Sequence, residues 1–202
     1  LLIIFTLTLA SIFMVVAAFS SNSPYAQIGA ERELLQMMAY EPMVLLTAIG
    51  FYVVTGSFNI YDIVTSDIMA IKLLPGIFIG FVFILTIKLR KSPFDLSMSH
   101  HAHQELVKGM TTEFSGKTMA MIEIAHWYEN IFLIGFVYLF IAHSAAWSPI
   151  AAVIVCLVVY FLEIVIDNNY ARMKWQIAIN SSWVVAITLG FINLLVLYFM
   201  SF

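Results

Sequence analysis

KSPFDLSMSHHAHQELVKGMTTEFSGKTMAMIEIAHWYE, residues 91–129, decides how the rest of the chain is read. It holds four of the five histidines and five of the twelve carboxylates in 202 residues, so the ionisable groups are concentrated here. The flanks are mostly apolar. Hydrophobic residues make up 62% of the chain and charged residues 10%, against about 25% charged in a soluble globular domain. A water-soluble core cannot absorb that much apolar side chain. The expected fold class is therefore an all-α, polytopic integral membrane protein. Ionisable groups are costly near hydrocarbon unless they meet partners or line water, so the polar stretch is where chemistry is expected.

Working outward, residues 1–19 form an almost unbroken apolar run, long enough to span hydrocarbon at about 1.5 Å per residue. SSNSP at 20–24 ends it. GAERELLQMMAY at 29–40 sets Leu34, Leu35, Met37 and Met38 against Glu31, Arg32, Glu33 and Gln36, and reads as an interfacial turn of helix. Glu41-Pro42 opens a second span reaching about residue 58, and 59–70 is a polar connection. Further spans are expected at about 72–89, 118–143, 150–166 and 177–199. This gives about six transmembrane helices in a single transmembrane domain, 1–202, with a long loop at 90–117. The start at Leu1, already apolar and without a basic leader, is what a chain lacking an N-terminal helix would show.

With six spans, alternate loops share a face. Arg32, Lys88, Arg90, Lys91, Lys108, Lys117, Arg172 and Lys174 fall on one face and Lys72 on the other. The positive-inside rule then places loops 20–40, 90–117 and 167–176 in the cytoplasm. A net charge of −3 gives no footprint for nucleic acid. The single cysteine, Cys156, can form no internal disulfide and no all-cysteine iron–sulfur site.

Within 90–117, His100, His101 and His103 are metal ligands by residue type, but they have no HExxH pattern and no cysteine partner. A proton relay suits them better, since an unperturbed imidazole titrates near pH 6.5, about where cytoplasmic protons are exchanged. A solvated loop or a subunit contact is the plain alternative. Glu123, His126 and Glu129 follow at i, i+3 and i+6 on the fourth span, a stripe that drifts around the helix. Two carboxylates and an imidazole there fit a proton path through short water chains. Simple pairing with a basic neighbour is the alternative. Glu41 near a helix start suits the helix dipole, Asp95 suits a turn cap, and His143 an interfacial anchor. Glu163 and Asp167, one turn apart, are expected to pair with Arg172 or Lys174.

GAERELLQMMAYEP (29–42), SPFDL (92–96), ELVKGMTTEFSG (105–116) and IEIAHWYEN (122–130) together resemble the subunit 1 family of respiratory complex I. That family includes the membrane subunits of energy-converting [NiFe] hydrogenases. SMSHHAHQ stands where the complex I form carries an acidic run, which is similar to the ferredoxin-linked hydrogenase branch. The resemblance implies a membrane-anchor and ion-coupling subunit in the cytoplasmic membrane of a bacterium or archaeon, with no cofactor of its own. Its [NiFe] centre and iron–sulfur clusters would belong to partners: a hydrogenase large subunit and a small iron–sulfur subunit on the cytoplasmic face. Antiporter-like membrane subunits would lie alongside. It also implies ion-path or docking roles for Glu41, Asp95, Glu105, Glu113 and Arg32. Glu123, His126 and Glu129 fall on the helix that follows. The quinone-site subunit of a complex I-type dehydrogenase, and the matching subunit of a sulfur-reducing complex, share these motifs.

Overall fold

The computed structural model describes residues 2–94, 109–171 and 173–200. Every regular element among the described residues is helical, as expected. Five helices are long and apolar enough to cross a membrane: Leu2–Ser20 (α1), Pro24–Thr55 (α2), Gly116–Ile141 (α6), Ser148–Asn169 (α7) and the continuous run Trp175–Phe199. That last run comprises α8 (Trp175–Val185), a π-helical turn at Ala186–Phe191 and α9 (Ile192–Met200). Ile60–Thr65 (α3) and Ala70–Leu73 (α4) are short connecting helices.

The expected third span is α5 (Pro75–Lys88), 14 residues long. At 1.5 Å per residue it covers about 21 Å, less than the ~30 Å of a hydrocarbon core. A short helix suffices because protein surrounds it. Ile77, Phe81, Ile84, Leu85 and Ile87 are all buried. The rings of Phe51 on α2 and of Phe78 and Phe81 on α5 pack around Phe140 of α6, with centroids 4.7–6.0 Å apart.

α2 corrects a second expectation. The interfacial segment and the second span are one helix of 32 residues that runs through Pro42. Its buried positions recur at helical steps through Ala26, Glu33, Tyr40, Thr47 and Phe51. Along 29–40 the inward face is mixed rather than apolar: Glu33 and Gln36 are buried beside Met37 and Tyr40, while Leu34 and Met38 are exposed with Glu31. Gly29 permits the closest approach on this helix. A Cβ there would stand 2.5 Å from the Met110 backbone nitrogen, in the 3-10 turn Gly109–Thr111.

The two ends of the bundle are distinct. At one, Ser144 N donates to Ser66 O and Ser144 Oγ to Asp67, both at 3.0 Å. At the other, Ser92 N donates to Asp167 Oδ1 at 2.9 Å and Met173 N to Pro93 O at 3.0 Å. The connections after α5 and α7 therefore share an end, which is the alternation that the charge distribution requires.

Candidate functional site

α5 ends in a turn that fixes two cations. Leu89 N bonds Leu85 O, Arg90 N bonds Ile87 O, and Lys91 N closes back on Thr86 O at 3.1 Å. That six-to-one closure needs a left-handed residue at position 90, usually glycine. Here it is Arg90, with φ 54°. Left-handed geometry costs a non-glycine residue about 1–2 kcal/mol, and contacts of the side chain offset it. Arg90 Nη2 donates to Glu33 Oε1 at 3.1 Å, and Nη1 lies 2.7 Å from His126 Nε2. Arginine only donates, so His126 accepts at Nε2. Burial disfavours the Arg90 charge, but Glu33 and then Glu129 outweigh it and hold the guanidinium above its ordinary pKa. It stays a cation at any physiological pH.

Two residues back, Lys88 occupies the other half of the site. Its Nζ is 3.4 Å from Glu129 Oε1 and 4.4 Å from the centroid of the Tyr40 ring, and the side chain is 4% exposed. Glu41 adjoins Lys88 electrostatically, and its Oε1 is buried with no hydrogen-bond partner among the described residues. The same is true of Glu33 Oε2. Gln36 Nε2 donates to the Phe94 carbonyl and ties α2 to the turn beyond Arg90.

A cleft of about 160 Å³ opens beside these groups, lined by Lys88, Arg90, Glu123, His126 and Glu129 among others. That is ample for several waters. The arrangement alternates anion and cation across three helices: Glu33, Arg90 and His126 on one branch, Glu129, Lys88 and Glu41 on the other. Groups so placed can take up, hold and hand on protons through short water contacts.

Of the residues singled out in the sequence, Glu41, His126 and Glu129 meet here. Glu123 lines the mouth of the cleft and is exposed. Glu113 is exposed in the turn before α6, and Arg32 is half-buried on α2. Asp95, His100, His101, His103 and Glu105 lie outside the described residues. His143 packs on Trp147 at the opposite end. Asp167 does not pair with Lys174 but with Lys91, at 3.2 Å, while Glu163 has no hydrogen-bond partner among the described residues. Glu33, Gln36, Tyr40, Lys88 and Arg90 are members of the site that sequence reasoning passed over. Arg90 was available from the order of residues: a non-glycine residue two places after the last helical position, before Ser92-Pro93.

The family model described as NADH dehydrogenase matches residues 1–198. A subunit of the NADH-quinone oxidoreductase of Geobacillus thermodenitrificans (strain NG80-2) is 30% identical over 200 residues, covering 92% of this chain and 58% of that protein. A subunit of the F(420)H(2) dehydrogenase of Methanosarcina mazei is 30% identical over 200 residues, covering 91% and 56%. Among solved structures, the membrane-bound sulfane sulfur reductase, an archaeal respiratory membrane complex, superposes with a TM-score of 0.73 at 25% identity. The match covers 89% of this chain and 64% of that one. The chain spans a little over half the length of the two curated relatives. With the family model taking in residues 1–198, and two such relatives matching along more than 90% of it, the chain belongs to the NADH dehydrogenase family.

Proposed function

We propose that the chain is the membrane-anchor and ion-coupling subunit of an energy-converting complex, of the ferredoxin-oxidising, hydrogen-evolving [NiFe] type. The observation that carries the coupling role is a pair of charged branches, Glu33–Arg90–His126 and Glu129–Lys88, anchored on the buried Glu33 and Lys88, with the half-buried Glu41 adjoining Lys88 electrostatically. Structural packing alone would use apolar residues here, since burying ion pairs rarely adds net stability. The finer assignment is supported by SMSHHAHQ at 97–104, where histidines stand in place of an acidic run.

In this role the chain holds no redox centre. Its partners, a nickel–iron subunit and a small iron–sulfur subunit, sit on the cytoplasmic face against the segments at 20–40, 90–117 and 167–176. Electron transfer beside the loop alters the charge felt by Arg90 and its carboxylate. His126 and Glu129 respond by shifting protons along the cleft, and Glu41 beside Lys88 carries them on toward the antiporter-like subunits. Coupling of this kind requires two states with different ion affinity.

A second reading rests on the relatives themselves, which include a quinone oxidoreductase subunit and a chain of a sulfane sulfur reductase. One experiment separates the three. The complex is purified by a tag on this chain, and hydrogen evolution from reduced ferredoxin, quinone reduction and sulfur-compound reduction are assayed side by side. Hydrogen evolution with stoichiometric nickel is the expected outcome. Quinone or sulfur reduction without nickel overturns the hydrogenase assignment and leaves the coupling role to its own test.

A further inference from the structure

One carboxyl group stands apart from this cluster. Glu163, near the end of α7, is 0% exposed, and neither of its oxygens has a hydrogen-bond partner among the described residues. The same helix exposes Leu157, Val158, Phe161 and Leu162, so an acid turned inward is conspicuous there. The charged groups that act on it are Lys91, from the turn after α5, and Asp167, one turn along its own helix. α6 packs along α7, but it directs Glu123, His126 and Glu129 into the cleft with Lys88 and Arg90. α8 carries no acidic or basic residue. Lys91 is already engaged, with Nζ 3.2 Å from Asp167 Oδ2.

An ionised carboxylate sealed from water without a donor is costly, and the nearby cation, Lys91, is held by another carboxylate. We propose that Glu163 is a proton-binding site and that Lys91 reads its charge. With the proton on, Glu163 is neutral and Lys91 rests on Asp167. When the carboxyl gives its proton to water at the Asp167 end of α7, the new carboxylate competes with Asp167 for the same ammonium. No other bond changes. Ser92 N and Pro93 O are fastened to this end of the bundle through Asp167 and Met173. A displaced Lys91 therefore moves the turn 90–94, which carries Arg90 and with it the Glu33 and His126 contacts. The site's use in coupling rests on the function proposed above, whereas its existence does not.

The test is pH-dependent infrared difference spectroscopy of the complex purified by a tag on this chain, comparing wild type with Glu163→Gln and Lys91→Gln. The wild type is expected to show a titrating protonated-carboxyl C=O band that Glu163→Gln loses. In Lys91→Gln the band should remain and its titration should move, because one cation fewer acts on the carboxylate. Superimposable wild-type and Glu163→Gln spectra overturn the site. An unmoved titration in Lys91→Gln overturns the role of Lys91. If Glu163→Gln does not assemble, Glu163→Asp is measured instead: a band shifted in frequency supports the site, and an unshifted one overturns it. Loss or retention of ion pumping in Glu129→Gln reports separately on the coupling function.

Discussion

Arg90 and Glu33, 57 positions apart in the chain, meet at 3.1 Å with side chains only 12% and 4% exposed. Removing one partner strands the other. Arg90→Met is expected to lower stability by about 3–5 kcal/mol, the usual cost of an orphaned buried charge. Glu33→Gln combined with Arg90→Met should recover much of that loss, because the stranded carboxylate is gone. Thermal melts of the single and double variants in detergent give the cycle, and strictly additive losses would contradict the pairing.

Lys88 and Glu129 are predicted to matter more for ion movement than for folding. Glu129→Gln keeps the shape of the side chain and a hydrogen-bonding group but not the charge. In proteoliposomes of the complex, ion uptake per electron should fall by about tenfold or more, with the redox reaction continuing. Unchanged uptake would remove this branch from the path.

Two glycines make a controlled pair. Gly29→Ala drives a Cβ to within 2.5 Å of backbone at Met110, where no flexible side chain can give way. A loss of about 1–3 kcal/mol is expected. Gly135 on α6 has nothing within 4 Å of the added carbon, so Gly135→Ala should be neutral or gain up to ~1 kcal/mol from helix propensity. Melting temperatures of the two variants measured together check the contrast.

Gln36→Leu tests the tether between α2 and the turn beyond Arg90. It leaves the Phe94 carbonyl without this donor in a buried site, at a cost of about 1–3 kcal/mol. Amide hydrogen exchange should rise at Phe94 and its neighbours. Protection equal to wild type would show that the contact holds nothing in place.

The spans were legible because long apolar runs have one physical solution in lipid, and the connections after α5 and α7 meet at one end of the bundle, as alternate loops must. The third span was legible as a position but not as a length, since nothing local says that α5 is wrapped by protein. The site was legible only where acids and histidines stand out against apolar sequence, as at His126 and Glu129. Glu33 and Gln36 were hidden by their surroundings. Beside Glu31 and Arg32 they look like one wet face, and only the packed helix shows that two of the four point inward. Lys88 and Arg90 were counted as loop charges for orientation, which masked their roles as partners. Glu163 was assigned a basic partner, whereas Lys91 is held by Asp167 instead.

Pro42 lies inside α2, beside Glu41 and two residues from Tyr40. A proline has no amide hydrogen, so the Met38 carbonyl receives no helical bond from position 42. The ladder of the longest helix in the chain therefore lacks a rung at the level where Lys88 meets Tyr40 and Glu129. Above and below that level α2 is a stiff rod, one half bearing Glu33 and Gln36, the other seated among the phenylalanines. Any flexing of the rod is focused at its missing rung. A bend of α2 at that rung would shift Tyr40 and Glu41 relative to Lys88, whose ammonium lies over the Tyr40 ring.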